Sequence, residues 1–154
     1  MNIEIVNYDK KFLKEIVHLF TNTIHKTCDK DYTKEQLNAW ASLDIDYEKW
    51  DKKFEKSKPI LVLNENQIIG FSELYDDYID CFYIHHKYQN KGVGAFLLKY
   101  IINVARKKSL KKIKLDSSIT AKLFFESFNF KEVKKNYVKR NNQTLVNYSL
   151  ELVL

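Results

Sequence analysis

The order of apolar patterns along these 154 residues predicts an α/β fold of the α+β type, a mixed, mostly antiparallel sheet of about seven strands with helices on both faces. Three observations carry that expectation. Short β-type segments joined by tight turns run from Pro59 to His85. Segments of helical period stand on either side of that run. No Pro/Gly/Ser linker, repeat or low-complexity tract divides the chain, so residues 1–154 form one domain.

Each element follows from its own pattern. IEIV (3–6) alternates as a strand, and the next helix places Phe12, Ile16, Leu19, Phe20 and Thr23 on one side. Thr33, with Gln36 three residues later, forms a capping box that opens a short helix through Ala39 and Trp40. A further short helix covers Tyr47 to Phe54. PILVLNENQIIGFSELYDDYIDCFYIH (59–85) gives three strands, turning at Asn64–Asn66 and Asp76–Asp77. Val93, Phe96, Leu97, Tyr100, Ile101, Val104 and Ala105 then mark one helix face, and Arg106, Lys107 and Lys108 close it where the dipole favours cations. KIKLD (112–116) is a strand, ITAKLFFESF (119–128) a helix, and Asn129 a left-handed stop. Two strands broken near Asn141–Asn142 end the chain, with Thr144, Val146, Tyr148, Leu150 and Leu152 alternating onto one face.

Composition narrows the function. The chain is 45% apolar and 30% charged, as a globular protein is. Its start lacks the apolar run of a signal peptide, no stretch reaches the length of a membrane span, and Cys28 and Cys81 lie far apart. These features predict a reduced cytoplasmic protein with no membrane and no metal. The net charge of +6 is unevenly spread: residues 1–90 carry a balance of −4 and residues 91–154 one of +10. Nearly all the cations are Lys, whereas Arg is the preferred fork for base edges, so no nucleic-acid partner is expected. The asymmetry suits an anionic ligand at one end and a cationic one at the other.

Glycine is scarce: the chain holds three, and Gly92 and Gly94 stand one residue apart at the mouth of a helix. Gly94 is followed by Ala95 and Phe96, which excludes a Walker loop, and Leu97 replaces the third glycine of a dinucleotide fingerprint. Two readings stay open on these residues alone, a tight strand-to-helix turn or a pyrophosphate held on bare helix amides with Lys91 beside it.

IDCFYIHHKYQNKGVGAFLLKY resembles the acetyl-CoA-binding segment of the GNAT superfamily of N-acetyltransferases. The family loop, Gln/Arg-x-x-Gly-x-Gly/Ala, is matched by Gln89-Asn90-Lys91-Gly92-Val93-Gly94, and TAKLFFESFNF (120–130) resembles the following family helix, Ala-x-x-Phe-Tyr-x-x-x-Gly-Phe. The element order also agrees, so the resemblance covers nearly the whole chain and implies a single-domain GNAT acyltransferase fold. It implies an enzyme that moves an acetyl group from acetyl-CoA to a primary amine by direct attack in a ternary complex, as a monomer or homodimer. The cofactor side would consist of Phe82, Tyr83 and Ile84, met through backbone atoms, the loop Gln89, Asn90, Lys91, Gly92, Val93, Gly94 and Ala95, and the walls Phe124 and Phe125. A backbone N–H near Phe82 would hold the oxyanion, a role worth roughly 2.7–4 kcal/mol in other sites.

Attack needs a neutral amine and hence a carboxylate to take its proton. Asp80 is the first candidate: strand alternation puts it on the face of Phe82, the face that carries family bases. Glu73, on the preceding strand, is the second. The family's general acid is a tyrosine, and here that position is Phe125, so Tyr137, Tyr148 or water would have to serve. A thiol pKa of about 8.5 makes the thiolate a tolerable leaving group unaided. The missing tyrosine also admits a non-catalytic acyl-CoA sensor on the same fold. On the acceptor side, Tyr32, Trp40 and Asp31 offer aromatic rings and a carboxylate for an ammonium group.

Overall fold

The computed structural model describes residues 1–154. Strand β1 (Ile3–Asn7) leads through a single 3-10 turn (Lys10–Phe12) into three helices, α1 (Leu13–Thr27), α2 (Lys34–Trp40) and α3 (Tyr47–Ser57). A meander follows, β2 (Ile60–Asn64), β3 (Gln67–Tyr75) and β4 (Tyr78–Ile84), then a second 3-10 turn (His86–Tyr88) and α4 (Val93–Lys107). The chain ends with β5 (Lys112–Ser118), α5 (Lys122–Glu126) and the hairpin β6 (Lys131–Arg140) and β7 (Gln143–Val153). The seven strands form one sheet in the order β1-β2-β3-β4-β5-β7-β6, antiparallel except where β4 meets β5.

Local chemistry sets the helix ends. Gln36 N–H donates to Thr33 Oγ1 at 3.1 Å and Thr33 N–H to Gln36 Oε1 at 2.8 Å, the reciprocal pair of a capping box. Asp46 accepts from Lys49 N–H and starts α3, which stops at Lys58, left-handed at φ 50 immediately before Pro59. Residues 119–121 do not join α5 as the pattern predicted. Their polar groups go elsewhere: Ile119 N–H donates to Tyr32 Oη, Thr120 Oγ1 to Asp31, and Ala121 N–H to Ser118 Oγ. Asn129 adopts φ 71 and ends the segment as expected.

The sheet separates two apolar cores of similar size. One, between the sheet and α4–α5, gathers Val93, Leu97, Leu98, Ile101, Phe125 and Phe130; the other, between the sheet and α1–α3, gathers Ile16, Phe20, Ile24, Phe54 and Phe71. Both faces are therefore covered. β7 serves both cores as simple alternation predicts, for Leu150 and Leu152 enter the first while Leu145, of opposite parity, enters the second. No helix is long and apolar enough to cross a membrane.

The join between β4 and β5 creates the site. Their parallel register holds only Tyr78 opposite Lys114 and Ile79 opposite Leu115; beyond Ile79 the two strands part. The parting coincides with a bulge. Ser72 faces Phe82 and Glu73 faces Asp80, leaving Cys81 as the extra residue, in the left-handed region at φ 53. A non-glycine residue there costs on the order of 1–3 kcal/mol. Ser72 Oγ donates to the Cys81 carbonyl at 2.6 Å and helps hold it.

Candidate active site

Where β4 and β5 part, a cavity of about 1250 Å³ opens through the sheet. On one side it meets the start of α4 and the rings of Phe124 and Phe125; on the other it meets Phe20, Trp40 and Trp50 of α1–α3. The bulge assigns the side chains of β4 to these two sides. Phe82 packs on Phe124 at 5.8 Å and Phe125 at 5.2 Å, on the α5 side. Tyr83 packs on Phe20 at 5.0 Å and Phe71 at 5.9 Å, on the helix-triad side. Ile84 is buried in the α4–α5 core.

This corrects the expectation for Asp80. Alternation predicted Asp80 and Phe82 on one face, but the extra residue Cys81 reverses the parity, and Asp80 instead reaches Lys53 of α3 at 3.2 Å. Asp80 lines the cavity with its side chain 47% exposed, and Oδ2 is the atom paired with Lys53. Glu73 is on the same side but only 1% exposed, does not line the cavity, and pairs with the same Lys53 ammonium. Its Oε2 is buried without a partner. Lys53 is thus the hub of two carboxylates, with the Cys81 thiol 3.9 Å away. Burial by itself would lower the lysine's pKa, but Cys81, Glu73 and Asp80 around it outweigh burial and hold it above the ordinary value. Burial, with Glu73 next in effect, pushes the Cys81 thiol well up, so it is inert as a nucleophile. The sequence reading missed Lys53, which is one of five lysines from Lys49 to Lys58 with nothing local to single it out.

The glycine pair is required for two different reasons. Gly92 caps α4 in the left-handed region at φ 85, and a Cβ there would meet nothing within 4 Å. Gly94 yields to packing, since a Cβ would stand 3.1 Å from Phe124 Cζ. No side chain caps α4, so its first N–H groups are open to a ligand. Gln89, Asn90, Gly92, Gly94 and Ala95 line the cavity. Gln89 Nε2 also donates to the Ile84 carbonyl at 2.6 Å, tying loop to strand, and Asn90 takes φ 58. The side chains of Lys91 and Val93 point elsewhere, the first over the Tyr88 ring at 5.6 Å and the second into the core.

The acceptor candidates fare unevenly. Trp40 lines the cavity, stacked edge-on against Tyr32 at 5.4 Å. Tyr32 also reaches it, but its hydroxyl is spent: it donates to the Val146 carbonyl at 2.6 Å and accepts from Ile119 N–H. Burial pushes its pKa up to about 12. Tyr32 is therefore a tie between the α1–α2 connection and the splayed strands, and Asp31 lies outside the cavity, bonded to Thr120 at 2.7 Å. Neither Tyr137 nor Tyr148 lines the cavity, so neither replaces the tyrosine absent at Phe125, which is 3% exposed.

His85 and His86, at the junction of β4 and the loop, stack at 4.5 Å. Burial first, then neighbouring cations, lowers both pKa values from 6.5. The unfolded chain takes up these protons at higher pH than the folded one, so the stability they contribute is complete above pH 6.5 and lost as pH falls toward the folded values. Scanning calorimetry from pH 7.5 to 5.5 is expected to show a falling Tm. A His85→Asn, His86→Asn variant should show a shallower fall, and an equal slope would remove the pair from the account.

A splayed mixed sheet, an uncapped helix start behind a glycine turn and a through-going cavity with a carboxylate on its wall define an acyl-coenzyme A-type transferase fold. The chain belongs to the GNAT family of acetyltransferases: the Acetyltransferase (GNAT) domain matches residues 28–152. It is 32% identical over 147 residues to the uncharacterized N-acetyltransferase YafP of Escherichia coli (strain K12), covering 96% of this chain and 93% of YafP. Among solved structures, a GCN5-related N-acetyltransferase from Rhodopseudomonas palustris superposes with a TM-score of 0.95 at 24% identity, covering 100% of this chain and 97% of that one. The PaiA N-acetyltransferase of Thermoplasma acidophilum, solved in complex with coenzyme A, superposes with a TM-score of 0.78 at 17% identity over 100% of both chains.

Proposed function

We propose that the protein transfers an acetyl group from acetyl-CoA to a primary amine, both bound at once in the cavity between β4 and β5. The observation that carries this reading is that one cavity opens on both faces of the sheet, with the uncapped start of α4 on one and Asp80 on the other. The pyrophosphate would rest on the amides from Gln89 to Ala95, on a turn that Gly92 makes in the left-handed region. The pantetheine arm would run beside Phe82, Phe124 and Phe125 and the thioester would meet the β4 backbone that β5 leaves unpaired. Asp80 takes the proton of the incoming ammonium through the oxygen that Lys53 does not hold, or through water. Glu73, sealed behind Lys53, serves as a counter-charge and not as the base.

The fit can be measured directly. Acetyl-CoA is expected to raise Tm by several degrees, about 2.7 kcal/mol at a hundredfold excess over Kd. Gly92→Glu should abolish the rise, because the side chain brings strain and negative charge to the helix start. An unmoved Tm at millimolar acetyl-CoA refutes the assignment.

Phe125 favours a second reading, a sensor that binds acyl-CoA without turnover, since no hydroxyl stands where the family's acid would. Thiol release from acetyl-CoA over an amine panel separates the two. We favour catalysis, because a thiolate leaves without help and Asp80 has no evident purpose in a sensor.

A further inference from the structure

Of the 26 Lys and Arg residues only two are Arg, Arg106 and Arg140. Arg106 lies in the last turn of α4, where any cation suits the helix dipole. Arg140 ends β6, at the tip of the hairpin that turns through Asn141 and Asn142, left-handed at φ 46 and φ 66. That tip leans over the helix-triad side. Asn141 Nδ2 donates to the Ala39 carbonyl at 3.5 Å, Gln36 Nε2 to the Thr144 carbonyl at 2.8 Å, and Leu145 enters the core beneath α1–α3. Arg140 therefore lines the cavity from the side of Asp80, sharing a strand face with Val138, which pairs with Leu145; Lys139 also lines the cavity but alternates to the other face.

Four cations, Lys49, Lys53, Lys139 and Arg140, and four carboxylates, Asp44, Asp46, Asp80 and Asp116, line the cavity, but the carboxylates are the more fully engaged: Asp116 accepts from the Tyr78 and Ser149 hydroxyls. Asp80 is paired with Lys53, and Asp46 caps α3. Lys49, Lys139 and Arg140 line the same cavity, and none of them takes part in any ion pair of the molecule. Against them Asp44 is the one carboxylate on this rim with no partner. The cations without a protein partner leave a local positive field that an anionic group of the acceptor could meet. A cleft focuses such a field on whatever enters it. The guanidinium, moreover, presents a planar fork that fits a carboxylate or phosphate through two parallel hydrogen bonds.

We propose that the acceptor carries an oxyanion as well as its amine, a carboxylate or phosphate-type group that Arg140 seats while the amine reaches Asp80. The proposal rests on the acetyl-transfer reading and names the substrate class of that site. It replaces the cationic acceptor expected from the acidic front half with a zwitterionic one, because the fold brings a back-half cation to the front-half wall.

The test is a matched panel: L-amino acids beside their amides, and aminoalkylphosphonates beside the corresponding alkylamines. Each is read by thiol release under saturating acetyl-CoA and by calorimetry on the coenzyme A-loaded and free protein. At least one acid should exceed its uncharged partner by about tenfold in kcat/KM or in affinity. Arg140→Gln should bring that ratio close to one, Arg140→Lys should keep part of it, and coenzyme A affinity should stay within about twofold of the parent protein. The carboxylate and phosphonate arms decide which anion is seated. Amides and alkylamines that equal the acids overturn the proposal, as does an Arg140→Gln variant that lowers acids and amides alike, or a panel empty in both readouts. Failure of acetyl-CoA itself to bind would sink the acetyl-transfer reading instead, since calorimetry on the free protein still reads the anion preference.

Discussion

Asp80→Asn is expected to lower kcat by about 10²–10⁴-fold while leaving the Tm rise with acetyl-CoA in place. The amide is nearly the same shape and still meets Lys53, but it cannot accept a proton from an ammonium. Asp80 stands on the proposed acceptor side of the sheet, so coenzyme binding, proposed for the far side, should be untouched. Because the amine must arrive neutral in the variant, its rate should climb with pH toward the amine's own pKa, where the parent enzyme levels off earlier. Steady-state thiol release across pH checks both parts. A variant within threefold of the parent would move the base elsewhere, with Glu73→Gln the next to measure.

The largest effect on stability belongs to Lys53. Lys53→Met is expected to destabilise the fold by about 3 kcal/mol, the low end of the range for breaking a buried ion pair, because water reaches part of the lysine. What matters is the partner left behind: Glu73, 1% exposed, has one oxygen already unpartnered and would lose its only cation. Adding Glu73→Gln to Lys53→Met should restore most of the loss, since no lone charge is then buried. Urea unfolding of the four proteins of this cycle gives the coupling. Simple additivity would mean that the pair is not coupled and that Lys53 stabilises by packing alone, over Trp50 at 5.9 Å and Phe54 at 5.7 Å.

The order of elements was legible because periodicity is a local property. The capping box at Thr33, the left-handed stop at Asn129 and the turn at Asn141–Asn142 are each written within a few residues. The glycine turn and open helix start proposed for the coenzyme were legible for the same reason, with both glycines in one short motif. The acceptor side was not. Lys53 acquires its role from partners 20 and 27 residues away, and Tyr32 spends its hydroxyl on a carbonyl 114 residues distant. Arg140 lies in the basic half of the sequence yet lines the wall made by the acidic half. The bulge was the hardest to see, since Cys81 adopts a backbone state that cysteine rarely takes and gives no compositional sign of it.

That single unpaired residue means β4 is read in two frames. Tyr78 to Asp80 follow one alternation and Phe82 to Ile84 the other, with the shift falling where β5 departs. Were position 81 paired in simple alternation, Asp80 and Phe82 would share a face; removing the residue altogether would keep them on opposite faces but take away the bulge where β5 departs. The unpaired state of this one residue, more than its side chain, thus sets the proposed base and the proposed thioester site on opposite sides of one sheet.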